Sequence, residues 1–263
     1  MNPMFFGGSD SALFGVLHSA SGGPERNHGV LLCSSIGQEH VRTYGLLRTI
    51  AEQLSREGFA TLRFDWFGVG DSAGAFEDAT LERFTQDFHA ALDELREQTG
   101  VRTVSVFAVR MGAAVALLGA ARAKVKHLVL WDPVTDGGAY LRGQRALHNE
   151  LVSDPNRFWR PTANLRTPDS ELAGFQFGEA LLADLRGLTP DRLLDVGGAR
   201  VFLVHSEHVS VAPFCSRLQG AGVLATSAGL PIRSTWDDSE ALERRIFAAA
   251  LGPALVEALA AHA

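Results

Sequence analysis

The stretch Val104-Ser105-Val106-Phe107-Ala108-Val109-Arg110-Met111-Gly112-Ala113-Ala114-Val115-Ala116 constrains the fold of this chain more than any other. It reads as a buried strand that turns without delay into a helix of small residues. Ala108 and Gly112 flank position 110 in the G-x-S-x-G spacing of a nucleophile elbow, with Ala for the first Gly. Small residues are required there because the strand and helix backbones pass close to each other. Arg110 stands where the elbow chemistry needs a serine. A guanidinium stays protonated at any working pH and cannot attack a carbonyl. The steric half of the motif is kept and the chemical half is replaced.

Around this segment, short apolar runs alternate with helical patterns. Strands are expected over 12–18, 30–33, 59–64, 101–107, 127–131, 199–205 and 224–228 or slightly later. Helices are expected over 41–56, 81–99, 110–123 and 212–219, and from 239 onward. In the second of these, Leu81, Phe84, Phe88, Ala91, Leu92 and Leu95 recur at helical spacing. Residues 65–79 form a long Gly-rich loop. Strands separated by helices imply an α/β fold, a mostly parallel sheet covered on both faces. The composition changes over 136–190, with Pro155, Pro161, Pro168, Phe158 and Trp159, and periodicity returns only near 177–188. That segment is expected as a lid inserted into a core made of 1–135 and 191–263.

Bulk properties exclude several function classes. Hydrophobic residues make up 46% and charged residues 21%, as in a packed globular domain. The net charge of −6 argues against nucleic acid or anionic membrane as a partner, since both need basic surface. No basic-flanked apolar segment opens the chain, so no signal peptide is expected. The longest apolar stretch, 246–261, is interrupted by Gly252-Pro253 and Glu257, and is expected as a pair of core helices rather than a membrane span. Cys33 and Cys215 form no metal or redox motif, which suits a reducing cytoplasm. None of the nine histidines pairs at the i, i+4 spacing of a helical metal site, and no metal or other cofactor is expected.

Two literal motif matches fail on context. Gly70-Asp71-Ser72-Ala73-Gly74 fits G-x-S-x-G, but the strand before it has ended and no helix starts at Ser72. Gly68 to Ala73 fits the dinucleotide pattern G-x-G-x-x-A, yet the helix comes too late, and Asp65, Asp71, Glu77 and Asp78 would repel a phosphate. Taken whole, the run from Arg63 to Ser72 is the informative feature. With Ile36-Gly37-Gln38-Glu39-His40, the elbow, and Leu130-Trp131-Asp132-Pro133-Val134 followed by Gly138, Tyr140 and Leu141, it resembles the α/β-hydrolase superfamily. Within the serine-aminopeptidase-like branch, the chain is most similar to the exosortase-A-system-associated hydrolases of type 2. That resemblance implies an α/β-hydrolase fold, and an arginine at the elbow that is inherited rather than decayed.

The rest of a triad is missing by the same comparison. The superfamily's acid would fall near His208 or Val209, and its base histidine near Trp236. Asp132, at a strand end, is a displaced acid candidate. The candidate catalytic set is therefore Arg110, Asp132, His208, Ser34 and Cys33, and the candidate ligand-binding set Arg110, Met111, Ser35, Ile36, Glu39, His40 and Trp131. A cation at the first turn of a helix opposes the helix dipole and needs compensation. Glu39, Asp65 or Asp132 could supply it, as could a bound carboxylate, phosphate or carrier-borne phosphopantetheine arm. Three functions stay open. One is a protein that binds a small anionic or acyl ligand, either free or borne on a carrier protein. The second is an acyl hydrolase or transferase using Cys33, Ser34 or Ser35 with His40 or His208. The third is a structural partner whose cleft is filled by Trp66, Trp131 or Trp236.

Overall fold

The structure, a computed structural model, describes residues 1–22, 26–154, 157, 168–233, 235–242, 244–246 and 248–260. Eight strands build one sheet: β1 (Asn2–Phe6), β2 (Leu13–His18), β3 (His28–Cys33), β4 (Ala60–Phe64), β5 (Thr103–Val109), β6 (His127–Trp131), β9 (Arg200–Glu207) and β10 (Ala225–Arg233). A separate two-stranded hairpin pairs β7 (Glu171–Leu172) with β8 (Phe175–Gln176). The main sheet runs β1-β2-β4-β3-β5-β6-β9-β10. From β4 to β10 its neighbours are parallel, while β2 is antiparallel to both β1 and β4.

Side-chain alternation along the strands divides the core in two. Leu31, Leu62, Val106 and Leu128 pack with α2 (Leu81–Thr99), α3 (Met111–Ala123) and α6 (Ala212–Gly220). Val30, Leu32, Phe107 and Val129 pack with α1 (Gly37–Arg56) and α7 (Leu251–Ala260) on the other face. Helix α2 matches its expected bounds, and local chemistry explains why. The Thr80 side chain caps the Arg83 N–H, and Gly100, with φ of 67°, supplies the left-handed stop. In α3 the small residues have a steric cause, since a Cβ at Gly112 would overlap the Ser34 carbonyl.

Three expectations need correction. Strand β1 was not foreseen. The apolar stretch 246–261 is not a pair of helices. Gly252 and Pro253 lie in the first turn of α7, where a proline costs little because its missing N–H would have no partner. Most importantly, α4 (Gly137–Ser153) replaces the irregular start expected after 136. Asp136 caps it at the Ala139 N–H, and its buried stripe is Tyr140, Gln144 and Leu147. Gln144 breaks the apolar pattern, so periodicity alone misses the helix. Within 136–190, α4 packs on α5 (Glu179–Arg186), on the hairpin, and on the turn Ser239–Ala241. Pro155, Phe158, Trp159 and Pro161 lie outside the described residues.

Candidate functional site

At the carboxyl ends of β5 and β6 two non-glycine residues adopt positive φ, Arg110 at 51° and Asp132 at 45°. Arg110 is the sharp turn between β5 and α3, with ψ of −117°. Such a conformation costs about 1–3 kcal/mol and persists only where its surroundings hold it. Here the Arg110 N–H donates to the Trp131 carbonyl at 3.0 Å, and its carbonyl accepts from Ala113 at 3.1 Å and Val134 at 3.2 Å.

The Arg110 side chain completes a buried polar network. Its Nε and Nη2 both donate to Glu39 Oε1 at 3.1 Å, and Nη1 donates to the Asp132 carbonyl at 3.2 Å. Glu39 Oε1 also accepts from Gln144 Nε2 at 3.4 Å, and Oε2 from Ser35 Oγ at 2.6 Å. The Ser35 hydroxyl in turn accepts from the Met111 N–H at 3.3 Å. The compensation that Arg110 needs therefore comes from Glu39, across 71 residues of sequence. Burial disfavours the guanidinium charge, but the charge of Glu39 and its hydrogen bonds outweigh that and raise the Arg110 pKa.

A second network encloses Asp132, which is fully buried. Its Oδ1 accepts from the Ser206 N–H at 2.8 Å, and Oδ2 from Ser206 Oγ at 2.6 Å and Trp236 Nε1 at 2.7 Å. Trp131 Nε1 donates to the same serine oxygen at 3.0 Å. The Trp236 ring also stacks under Arg110, 5.1 Å from ring centroid to guanidinium carbon. Asp132 thus faces an indole.

Between these networks lies a cavity of about 340 Å³, bordered by Arg110, Pro133, Tyr140, Gln144, Val209 and Trp236, with Asp136 and Asp237 also on its wall. The Arg110 side chain is 17% exposed, so the tryptophans do not close the cleft. Among the described residues, three of the five guanidinium N–H groups are bound to protein, which leaves two. The Tyr140 hydroxyl makes no hydrogen bond among the described residues. Its pKa is pushed well up by burial and by Glu39, so it remains a donor.

The other expected residues fall elsewhere. Cys33 is fully buried, and burial pushes its thiol up, so it packs rather than attacks. His208 is an exposed residue at φ of 66° after β9 and takes no part in either network. Ile36 is buried in the main core cluster. Ser34 and His40 form a separate pair, Oγ to Nδ1 at 3.0 Å, with His40 Nε2 3.9 Å from Asp65. Trp66 lies apart from the cleft, donating to the Ser34 carbonyl at 2.9 Å. Gln144 and Ser206 were not singled out from sequence. Ser206 had a positional signal, lying at the carboxyl end of β9, whereas Gln144 had none without α4.

The strand order, the antiparallel β2 and the strand–turn–helix at Arg110 define a protein of the α/β-hydrolase fold. More particularly, the chain belongs to the serine aminopeptidase S33 family, whose model matches residues 26–184. Among solved structures it is similar to Est1E from Butyrivibrio proteoclasticus, determined with bound ferulic acid, at a TM-score of 0.66 and 18% identity over 98% of both chains. Proline iminopeptidase of Mycobacterium smegmatis superposes with a TM-score of 0.63 at 16% identity, over 99% of this chain and 98% of that one. At such identities the likeness is one of fold. No curated protein matches the chain.

Proposed function

We propose that this chain is an α/β-hydrolase-fold protein without the Ser-His-Asp triad. In this reading its cleft binds an acyl or carboxylate group instead of cleaving an ester. The observation that carries it is the occupation of every catalytic place by a group bound to protein. Arg110, held by Glu39, takes the nucleophile's turn. The Met111 N–H, which would help hold an oxyanion, is spent on Ser35 Oγ. Trp236 donates to Asp132 where a base histidine would have to stand. The two remaining Arg110 N–H groups and the Tyr140 hydroxyl are donors that suit a carbonyl or carboxylate oxygen. Charge favours that class over phosphate, because Glu39 already neutralises Arg110 and Asp136 and Asp237 border the cavity. Residues 136–190 would serve as the lid, contributing Tyr140 and Gln144. The sequence likeness to exosortase-associated type 2 hydrolases is consistent with an inherited arginine here.

Initial rates on short acyl esters and thioesters, with wild type beside Arg110→Ala, test the reading. Both are expected at background, while Arg110→Lys weakens binding of a short-chain carboxylate, because a point charge cannot reproduce the fork. Rates well above background that fall in Arg110→Ala would overturn it. The Ser34–His40 pair favours a rival enzyme reading, since a serine 3.0 Å from an imidazole is the start of an activated nucleophile. Ser34 is 2% exposed, however, and borders neither the Arg110 cavity nor the one beside His40. Ser34→Ala in the same assay separates the two.

A further inference from the structure

We propose that a second cleft, floored by Asp65 and His40, is a binding site for an organic ammonium group carried on an apolar body. It is independent of the Arg110 cavity. The two share no lining residue, and consecutive residues of α1 serve them, Glu39 the first and His40 the second.

The argument begins with Asp65. This carboxylate is only 4% exposed and lies on the wall of a cavity of about 400 Å³. Its Oδ2 accepts from the Asp71 N–H at 3.2 Å. Among the described residues its Oδ1 accepts no hydrogen bond, and the cationic candidate facing it is His40 Nε2 at 3.9 Å. That imidazole supplies no charge near neutrality, because burial pushes its pKa down to about 4. Arg63, near the end of β4, lies over the Tyr44 ring at 5.0 Å; it makes no ion pair with Asp65, and its charge favours the carboxylate only weakly from there. Asp71 adds a second negative charge on the loop. Burial, with Asp71 adding to it, pushes the Asp65 carboxyl up to about 6. At neutral pH the cleft therefore holds a buried negative charge with no described protein cation in contact with it, Arg63 acting on it only at a distance. A charge so placed is costly unless a partner arrives.

The walls specify the partner. Tyr44, Phe76 and Phe175 line the cavity, and aromatic rings attract a cation by their quadrupole. Val41 and Tyr44 are 53% and 38% exposed and present apolar surface beside the floor. A carboxylate or phosphate ligand would meet Asp65 and Asp71 and be repelled. An alcohol could bond to the floor but would leave its charge standing. A protonated amine on an aromatic or alkyl body satisfies both floor and walls. The loop is shaped to hold the carboxylate in place. Gly70 has φ of 57°, and a Cβ there would collide with Asp65.

Calorimetric titration with phenethylammonium and its neutral isostere 2-phenylethanol tests the site. At pH 7.5 the amine is expected to bind at least about tenfold tighter than the alcohol. Asp65→Asn should abolish that preference, and Arg110→Ala should leave it intact. In wild type, lowering the pH to 5 should weaken amine binding about tenfold as the carboxyl takes up its proton, with His40 neutral throughout. This arm needs no variant, and circular dichroism at both pH values confirms the fold. Phe175→Ala, remote from the Asp65 hydrogen bonds, should weaken the amine severalfold. Equal binding of amine and alcohol, no amine binding, or an unchanged preference in Asp65→Asn would each overturn the proposal.

Discussion

Arg110 occupies the sharp turn between β5 and α3, and its neighbours hold it there by charge and hydrogen bonds. Glu39 is 2% exposed and receives four hydrogen bonds from Arg110, Ser35 and Gln144. Removing one partner of such a pair leaves the other charge buried. Arg110→Ala is therefore expected to destabilise the protein by about 3 kcal/mol in urea denaturation. Adding Glu39→Gln to that variant should recover much of the loss, which a double-mutant cycle would display. The converse substitution, Arg110→Ser, restores a hydroxyl at the turn but neither a base nor a free Met111 N–H. Its turnover of acyl esters should stay at background, since loss of a triad costs on the order of 10⁶-fold. Measurable burst kinetics in Arg110→Ser would show that a hidden base exists.

At the scale of elements, the close crossing of β3 and α3 positions the site. Gly112 lies against the Ser34 backbone, so an added methyl has nowhere to go. Gly112→Ala should cost about 2 kcal/mol through overpacking, read as a lower denaturation midpoint with an unchanged slope. The capping of α2 is a gentler case. Thr80→Ala removes one hydrogen bond to the Arg83 N–H and is expected to cost about 1 kcal/mol. Helices and strands with clean periodicity were legible within a few residues, α2 most fully. Helix α4 was hidden because a glutamine occupies its buried face. That glutamine donates to Glu39, 105 residues away, and no local pattern encodes such a partner.

For the whole molecule, buried histidines set the response to acid. Burial pushes His18, His28 and His40 down to about 4, so the folded chain keeps them neutral where the unfolded chain would protonate them. The unfolded state binds more protons between about pH 6.5 and pH 4, and stability rises with pH across that window. Asp65 acts in the opposite sense. Its raised carboxyl, at about 6, binds a proton in the folded state first and offsets part of the effect. Asp87, raised by burial, acts with Asp65, and His148, lowered by burial, acts with the other imidazoles. Melting temperature should therefore fall as pH drops from 6.5 to 4, the four histidines outweighing the two carboxylates. A flat profile would mean that these imidazoles are protonated in the folded protein.

Periodicity and small-residue spacing, both local properties, were enough to specify the parallel sheet, the turn at residue 110, and the mismatch between that turn and a serine's chemistry. The sequence also placed Glu39, Asp65 and Asp132 near Arg110, and of these Asp65 lines a separate cleft. It could not choose among the three as the counter-charge, nor show that Trp236 would hydrogen-bond Asp132. The asymmetry of the floor around Asp65 was equally out of reach. These outcomes depend on which side chains meet after β3, β5, β6 and the segment following β10 are brought together. Only the packed chain decides them, because hydrogen bonds and buried charges act over a few ångströms of space and take no account of distance along the sequence.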